Sequence, residues 1–318
     1  MHGPKTHIFL TGATGYIGGS VLTRLLSHSL SDTFGLTVLV RDPKKAKEFR
    51  TLGVKAIVGS NADTALLHQL AVDADVVFAC ADADDLYASK AILAGLKERF
   101  EKTNTLSSLI HTSGTGVLVD DARGMHSTEN IYSDLDIAKL ETLSPKQPHR
   151  NVDLELVSAD DQGPLVDLGL QNQHSQQIPR LVSLALQRGQ VGYVGLGKNI
   201  WPHVHIKDIA DLFILIFDQV LAHKPIAHGR EGFYFGENGE YVMWDLAKAV
   251  AQLLHDRHRI NSAMPNAFTE EEMEKYFPNG TMYGTNSRCH ADRSRAIGWR
   301  PRKSYSDLLA SIKGEITN

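Results

Sequence analysis

His7-Ile8-Phe9-Leu10-Thr11-Gly12-Ala13-Thr14-Gly15-Tyr16-Ile17-Gly18 carries an apolar run into three spaced glycines and then into a helical pattern. The run reads as a strand, the glycines as a tight turn, and the residues from Ile17 to Ser27 as a helix. Gly12 permits the sharp strand-to-helix turn, and Gly15 leaves room for backbone to approach a phosphate. Gly18 lets the helix pack closely on the strand. N–H groups at the helix start, in the segment Thr14, Gly15, Tyr16 and Ile17, face an anion with the favourable end of the helix dipole. A glycine trio alone is weak evidence. Between a strand and a helix, it predicts a dinucleotide pyrophosphate site.

Short apolar runs and helical patterns alternate outward from this turn. Leu36–Val40, Ala56–Gly59, Asp75–Ala79 and Ser108–Thr112 read as further strands. Pro43 to Leu52 and Ala88 to Phe100 read as helices, the first opened by a proline suited to the first helical turn. That order predicts an α/β fold whose doubly wound parallel sheet is covered on both faces. Helices follow at Ile178–Arg188, Ile209–Ala222 and Met243–His255, with a capping box at Thr269-Glu270-Glu271-Glu272. The expected organisation is a nucleotide-binding domain over residues 1–155 and a smaller, mixed C-terminal substrate lobe over 156–318, partly interleaved with it.

The second strand ends in Val40-Arg41-Asp42. A carboxylate at that tip would accept the ribose hydroxyls of NAD, whereas Arg41 favours a 2′-phosphate. Lys45 stands one turn on and adds positive charge. NADP(H) is therefore the expected cofactor, with NAD(H) kept open by Asp42. Ser60 and Asn61, past the third strand, are expected along the adenine. Ala81, past the fourth, is expected beside the middle of the cofactor.

Composition excludes several classes. The 318 residues carry 33 basic and 37 acidic side chains and a net charge of −4, dispersed along the chain. No basic footprint for nucleic acid or an anionic membrane is present. No apolar run has membrane-spanning length, and Met1 to Lys5 lack the apolar stretch of a secretory signal. Cys80 and Cys289 cannot form a disulfide framework, and neither stands at zinc-ligand spacing. The expectation is a cytoplasmic protein acting on small molecules, with no metal.

The chain resembles the short-chain dehydrogenase/reductase superfamily, in its extended, epimerase-like and dihydroflavonol-reductase-like branch. It resembles fungal members grouped with epimerases and with NmrA-like regulators. The residues that carry the likeness are Thr11–Gly18, His111-Thr112-Ser113-Gly114-Thr115-Gly116-Val117, Trp201–Asp211 and Ile297-Gly298-Trp299-Arg300-Pro301. The resemblance implies a Rossmann core, a small carbonyl or alcohol substrate and hydride chemistry or sugar-nucleotide epimerisation. It allows a homodimer.

It also implies a catalytic Tyr, a Lys four residues later that lowers its pKa, and a Ser or Thr that orients the substrate. Tyr132 is the tyrosine available, with Asp136 where the Lys belongs and Lys139 one turn further. A carboxylate there raises a tyrosine pKa, the wrong direction for a base. Ser113 and Thr115 flank Gly114 at the hydroxyl position. A sixth strand with a Pro-containing turn is expected before Gly163-Pro164, yet residues 152–157 alternate Asp153 and Glu155 with apolar residues. A strand buried on both faces should be continuously apolar. The expectation is a lost strand and an incomplete nicotinamide pocket.

The reading is an NADP(H)-dependent oxidoreductase with a degraded Tyr-Lys pair. The alternatives are a non-catalytic redox-sensing regulator or, third, an epimerase or dehydratase. Three weaker features have plain structural explanations. His203-Val204-His205 lacks further metal ligands, and Asp82, Asp84 and Asp85 suit a solvated helix start. Arg288, Arg293, Arg295 and Arg300 could hold a substrate diphosphate or simply pair on the surface.

Overall fold

The computed structural model describes residues 5–162, 165–171 and 177–315. The first five strands are β1 (Thr6–Thr11), β2 (Phe34–Val40), β3 (Lys55–Val58), β4 (Val76–Ala79) and β5 (Ser107–Ser113). Four helices separate them: α1 (Tyr16–Leu26), α2 (Pro43–Thr51), α3 (Thr64–Val72) and α4 (Leu86–Thr103). Strand side chains alternate between two cores, as the period of two requires. Ile8, Leu10, Val38, Val40, Val76 and Phe78 enter one core with Ile17, Val21 and Leu25 of α1. Phe9, Leu39, Val77 and Leu109 enter the other with Leu67 of α3 and Ile92 and Leu96 of α4. A sheet buried on both faces explains why these runs are continuously apolar.

After β5 come β6 (Tyr132–Ser133), α5 (Ile137–Glu141), α6 (Arg150–Asp161) and β7 (Leu165–Gln171). The remaining strands are β8 (Gly192–Tyr193), β9 (Ile200–Pro202), β10 (Tyr234–Phe235), β11 (Glu240–Val242), β12 (Asn266–Ala267) and β13 (Cys289–His290). The remaining helices are α7 (Gln177–Arg188), α8 (Ile206–Leu221), α9 (Met243–Asp256), α10 (Glu270–Tyr276), α11 (Asp292–Ala296) and α12 (Tyr305–Glu315). The main sheet has seven strands in the order β3-β2-β1-β4-β5-β7-β10. Every neighbouring pair in it is parallel. This is the doubly wound Rossmann order, which reverses between β1 and β4 and opens a crevice at their carboxyl ends.

The sixth strand is present, which corrects the expectation of its loss. β7 pairs with β5 along its whole length, from Ser107 opposite Leu165 to Ser113 opposite Gln171. Residues 152–157 belong to α6 instead. Arg150, Val152, Asp153, Leu156 and Val157 are its buried residues, and the spacing of 152 to 156 is one helical turn. Asp153 only mimics strand alternation because it is a buried polar residue on the inner face of a helix. The Pro-containing turn expected before Gly163-Pro164 does not fall there, because α6 occupies residues 150–161. α6 also crosses the boundary expected at residue 155, and β7 and β10 add sheet strands beyond it.

α8 returns to the main sheet, laying Ile209, Leu212, Phe213, Ile216 and Phe217 on the core that contains α1. Fully burying each such side chain contributes about 1.5–3 kcal/mol. The Phe34 and Phe217 rings meet edge to face at 5.4 Å. Asp208, in the first turn of α8, accepts the Lys303 N–H at 2.9 Å, and its carbonyl accepts from the Trp299 indole at 2.8 Å. These bonds join the motifs around residues 201–211 and 297–301. α7, α9 and α12 form a second core with Trp201, Phe268 and Tyr283. This lobe reaches the segment after β5, where Ser287 Oγ donates to the Thr115 carbonyl at 2.8 Å.

Candidate functional site

The turn after β1 is built as its glycines require. Gly12 has φ +74°, and a Cβ there would stand 2.4 Å from the Cys80 carbonyl oxygen. A Cβ on Gly18 would stand 2.4 Å from the Gly12 carbonyl oxygen. Strand end, helix start and the end of β4 therefore meet backbone to backbone. Thr11 Oγ1 ties the same corner by accepting the Cys80 N–H at 3.1 Å. Gly15 sits in ordinary extended geometry at the N-terminus of α1, without a side-chain cap, and no acidic residue occupies the first turn. Those backbone donors remain available for phosphate oxygens. Thr14 and Tyr16 are exposed along the turn. Ile17 is buried in the core, so only its backbone faces the crevice.

Past β2, Arg41 is exposed and makes no ion pair among the described residues. Asp42 caps α2, accepting the Lys44 N–H at 2.8 Å. Lys45 pairs with Glu48 at 2.8 Å, which raises its pKa through that hydrogen bond. Ser60 and Asn61 are half-exposed beyond β3, and Ala81 is exposed beyond β4. These residues follow the carboxyl ends of adjacent strands, where a dinucleotide lies in this fold.

The end of β5 holds a cluster that sequence reasoning missed in part. His111, Ser113 and Thr115 are almost fully buried. Both His111 ring nitrogens and the Ser113 and Thr115 hydroxyls lack a hydrogen-bond partner. Asp153 of α6 is also buried, and its Oδ2 is unpartnered. The Ser113 hydroxyl approaches that carboxyl without reaching hydrogen-bond geometry. Burial pushes the Asp153 carboxyl up to about 6, against the opposing pull of Ser113, Arg150 and His149. Burial pushes His111 down to about 4, with the nearby His149 acting in the same direction. Buried polar atoms are normally paired, so this group of orphans is a candidate site for partners supplied by a bound molecule or water.

His149, just before α6, completes this cluster. Its Nδ1 lies 2.8 Å from Asp84 Oδ1, and its backbone N–H donates to the same oxygen at 3.0 Å. Its Nε2 faces Gly116, where an added Cβ would meet it at 3.1 Å. His149 precedes the helix and Asp153 lies in its first turn, the Asp153 N–H donating to the His149 carbonyl at 3.1 Å. Their spacing in sequence is the available signal. The alternation of residues 152–157, which reads as a strand, hides it.

Tyr132 lies on β6, which pairs with β13. Its hydroxyl accepts from Asn130 Nδ2 at 3.1 Å. Lys139 Nζ stands 4.9 Å from the ring centroid and donates to the Ile131 carbonyl at 2.7 Å. Asp136 caps α5. No hydrogen bond among the described residues joins Tyr132 to Ser113 or Thr115.

The other acidic and basic groups are committed to the fold. Asp85 caps α4. Arg288 pairs with Glu240 at 2.8 Å, and Arg295 with Glu237 at 3.1 Å. Arg293 and Arg300 donate to backbone carbonyls. Cys80 and Cys289 are buried free thiols. No metal-binding group of three or more ligands exists among the described residues.

Comparison with known proteins agrees with this geometry. Residues 12–134 match the NAD(P)H-binding domain family. The oxidase ucsJ of Acremonium sp is 30% identical, over 92% of each chain. This chain belongs to the same family as that oxidase, with an NAD(P)H-binding domain of Rossmann fold. It binds NAD(P)H, and the matched domain begins at Gly12. Two solved structures share its fold at low identity. The dTDP-glucose 4,6-dehydratase DesIV of Streptomyces venezuelae, with NAD and TYD bound, is 18% identical with a TM-score of 0.67, covering 98% of this chain and 97% of its own. The triphenylmethane reductase of Citrobacter sp., complexed with NADP(H), is 14% identical with a TM-score of 0.64, covering 97% and 99%. No helix among the described residues is long and apolar enough to cross a membrane.

Proposed function

We propose that this chain is an NADP(H)-dependent oxidoreductase that reduces a carbonyl group or oxidises the matching secondary alcohol. The carrying observation is the group of unpartnered buried hydroxyls, Ser113 and Thr115, at the end of β5 beside the dinucleotide crevice. When bound, the nicotinamide supplies or accepts a hydride. The protein's part is to hold the substrate oxygen on Ser113 or Thr115, exclude water and exchange a proton with that oxygen. The related oxidase, and the reductase and dehydratase that share the fold, support redox chemistry on a small organic substrate. Two buried free thiols suit a reducing, cytoplasmic setting.

Preference for the 2′-phosphate rests on Arg41 and on the engagement of Asp42 as a helix cap. A carboxylate already accepting the Lys44 N–H is poorly placed to take ribose hydroxyls as well. Arg41→Ala should weaken NADPH about tenfold or more and NADH less than twofold, from the loss of one charge-assisted contact. Calorimetric titration with both cofactors measures this. Equal weakening of the two removes the preference.

A non-catalytic redox sensor is the second reading, favoured by Tyr132, Asp136 and Lys139 not forming a proton-transferring pair. Turnover of NADPH with a panel of aldehydes and ketones separates the two. Tight cofactor binding with no turnover across the panel supports the sensor.

A further inference from the structure

A non-glycine residue at positive φ costs free energy and persists where its surroundings over-determine it. His149 has φ +66°. Two bonds to one Asp84 oxygen hold it there, one from the backbone and one from the ring. A carboxylate on Nδ1 favours the tautomer with its proton on that nitrogen, leaving Nε2 as the exchanging atom. Nε2 makes no hydrogen bond among the described residues and faces the turn that leaves β5 at Gly116. The His149 side chain is 18% exposed and that of Asp84 60%, so protons can be exchanged with solvent through this pair. One turn along α6, Asp153 lies against Ser113.

We infer that His149 is the proton donor and acceptor of the reaction proposed above, with Asp84 as its positioning residue. The inference rests on that oxidoreductase reading. In the reducing direction, hydride from C4 of NADPH forms the new C–H bond at the carbonyl carbon. The carbonyl π pair moves to oxygen, which takes the Nε2 proton of the His149 imidazolium. The products are the alcohol, NADP⁺ and neutral imidazole, which regains its proton from water. Ser113 holds the oxygen during transfer. The charged and titratable groups around His149 are Asp84 before α4, His111 on β5, and Arg150 and Asp153 on α6.

The test compares His149→Gln, Asp84→Ala and Tyr132→Phe in the full chain. Glutamine keeps a donor toward Asp84 and so protects the start of α6. His149→Gln should bind NADPH within threefold of wild type, lower kcat at least 100-fold with little change in KM, and remove one limb of the kcat pH profile. Asp84→Ala should lower kcat at least tenfold and displace that limb. A readout independent of turnover is ¹⁵N NMR of the histidine-labelled protein without cofactor. The signals missing in His149→Gln should report a proton held on Nδ1, and Asp84→Ala should release that preference. Wild-type turnover with kcat kept within threefold in His149→Gln overturns the inference and leaves the oxidoreductase reading standing. Loss of turnover in Tyr132→Phe alone assigns the proton to Tyr132. NADPH binding without turnover by the wild type, across the whole panel, overturns both readings together.

Discussion

Gly12→Ala is expected to abolish measurable NADPH binding and to cost about 2–4 kcal/mol of stability. Two separate penalties combine. The residue sits at φ +74°, where an L side chain is disfavoured. Its new methyl would also stand 2.4 Å from the Cys80 carbonyl oxygen, which belongs to backbone and cannot rotate away. Relief requires the end of β1 to separate from the end of β4, and that junction forms the floor of the crevice. Gly15→Val provides the contrast. Gly15 has φ −84° and ψ 173°, and a Cβ there would meet the Gly12 oxygen at 3.1 Å, a tight contact relieved by a shift of a few tenths of an ångström rather than by parting the strands. That variant should melt within a few degrees of wild type yet lose at least tenfold in NADPH affinity, because its side chain crowds the phosphate approach. Calorimetry and thermal melting on both variants measure the two effects. Unchanged NADPH affinity in both would remove the assigned cofactor turn.

Asp153→Asn should change how stability depends on pH. The unfolded chain loses the Asp153 proton near the ordinary carboxylate value, whereas the folded chain holds it to about 6. Between those values the native state binds more protons than the unfolded state. Stability therefore falls as pH rises through that window and levels off above it. The separation corresponds to roughly 3 kcal/mol carried by the ionised form. Asparagine has the shape of the protonated acid and cannot ionise. Variant minus wild-type stability should thus shift by about 2–3 kcal/mol in favour of asparagine between pH 4 and pH 7.5. Urea denaturation at both pH values gives this difference free of any constant offset from the amide. A difference that stays flat would mean that Arg150 and His149 fully compensate the buried charge.

The cofactor half of the site was legible because its determinants are local. Gly12, Gly15 and Gly18 act through backbone geometry over one turn, and Arg41 acts by its place at a strand tip. The apolar runs of β1, β2, β4 and β5 announced a sheet buried on both faces. The four C-terminal arginines were open to two readings, and only their partners Glu237 and Glu240, with backbone acceptors, decided for the fold. The nicotinamide half was harder to read. Tyr132 and Asp136 matched a spacing in sequence, yet β6 carries the tyrosine to β13 while α6 turns His149 and Asp153 toward β5.

The sequence by itself determined the doubly wound sheet and the dinucleotide turn, since both follow from short-range periodicity and from what glycine alone can do. Tertiary structure decided which polar residues meet. His149 and Asp84 are 65 positions apart. Ser113 and Asp153 meet only because residues 150–161 form a helix, which lays every fourth side chain on one face against the strand end. Local pattern could not reveal that pairing, because a buried carboxylate on a helix and one on a strand leave the same trace in six residues. Packing against β5 distinguishes them.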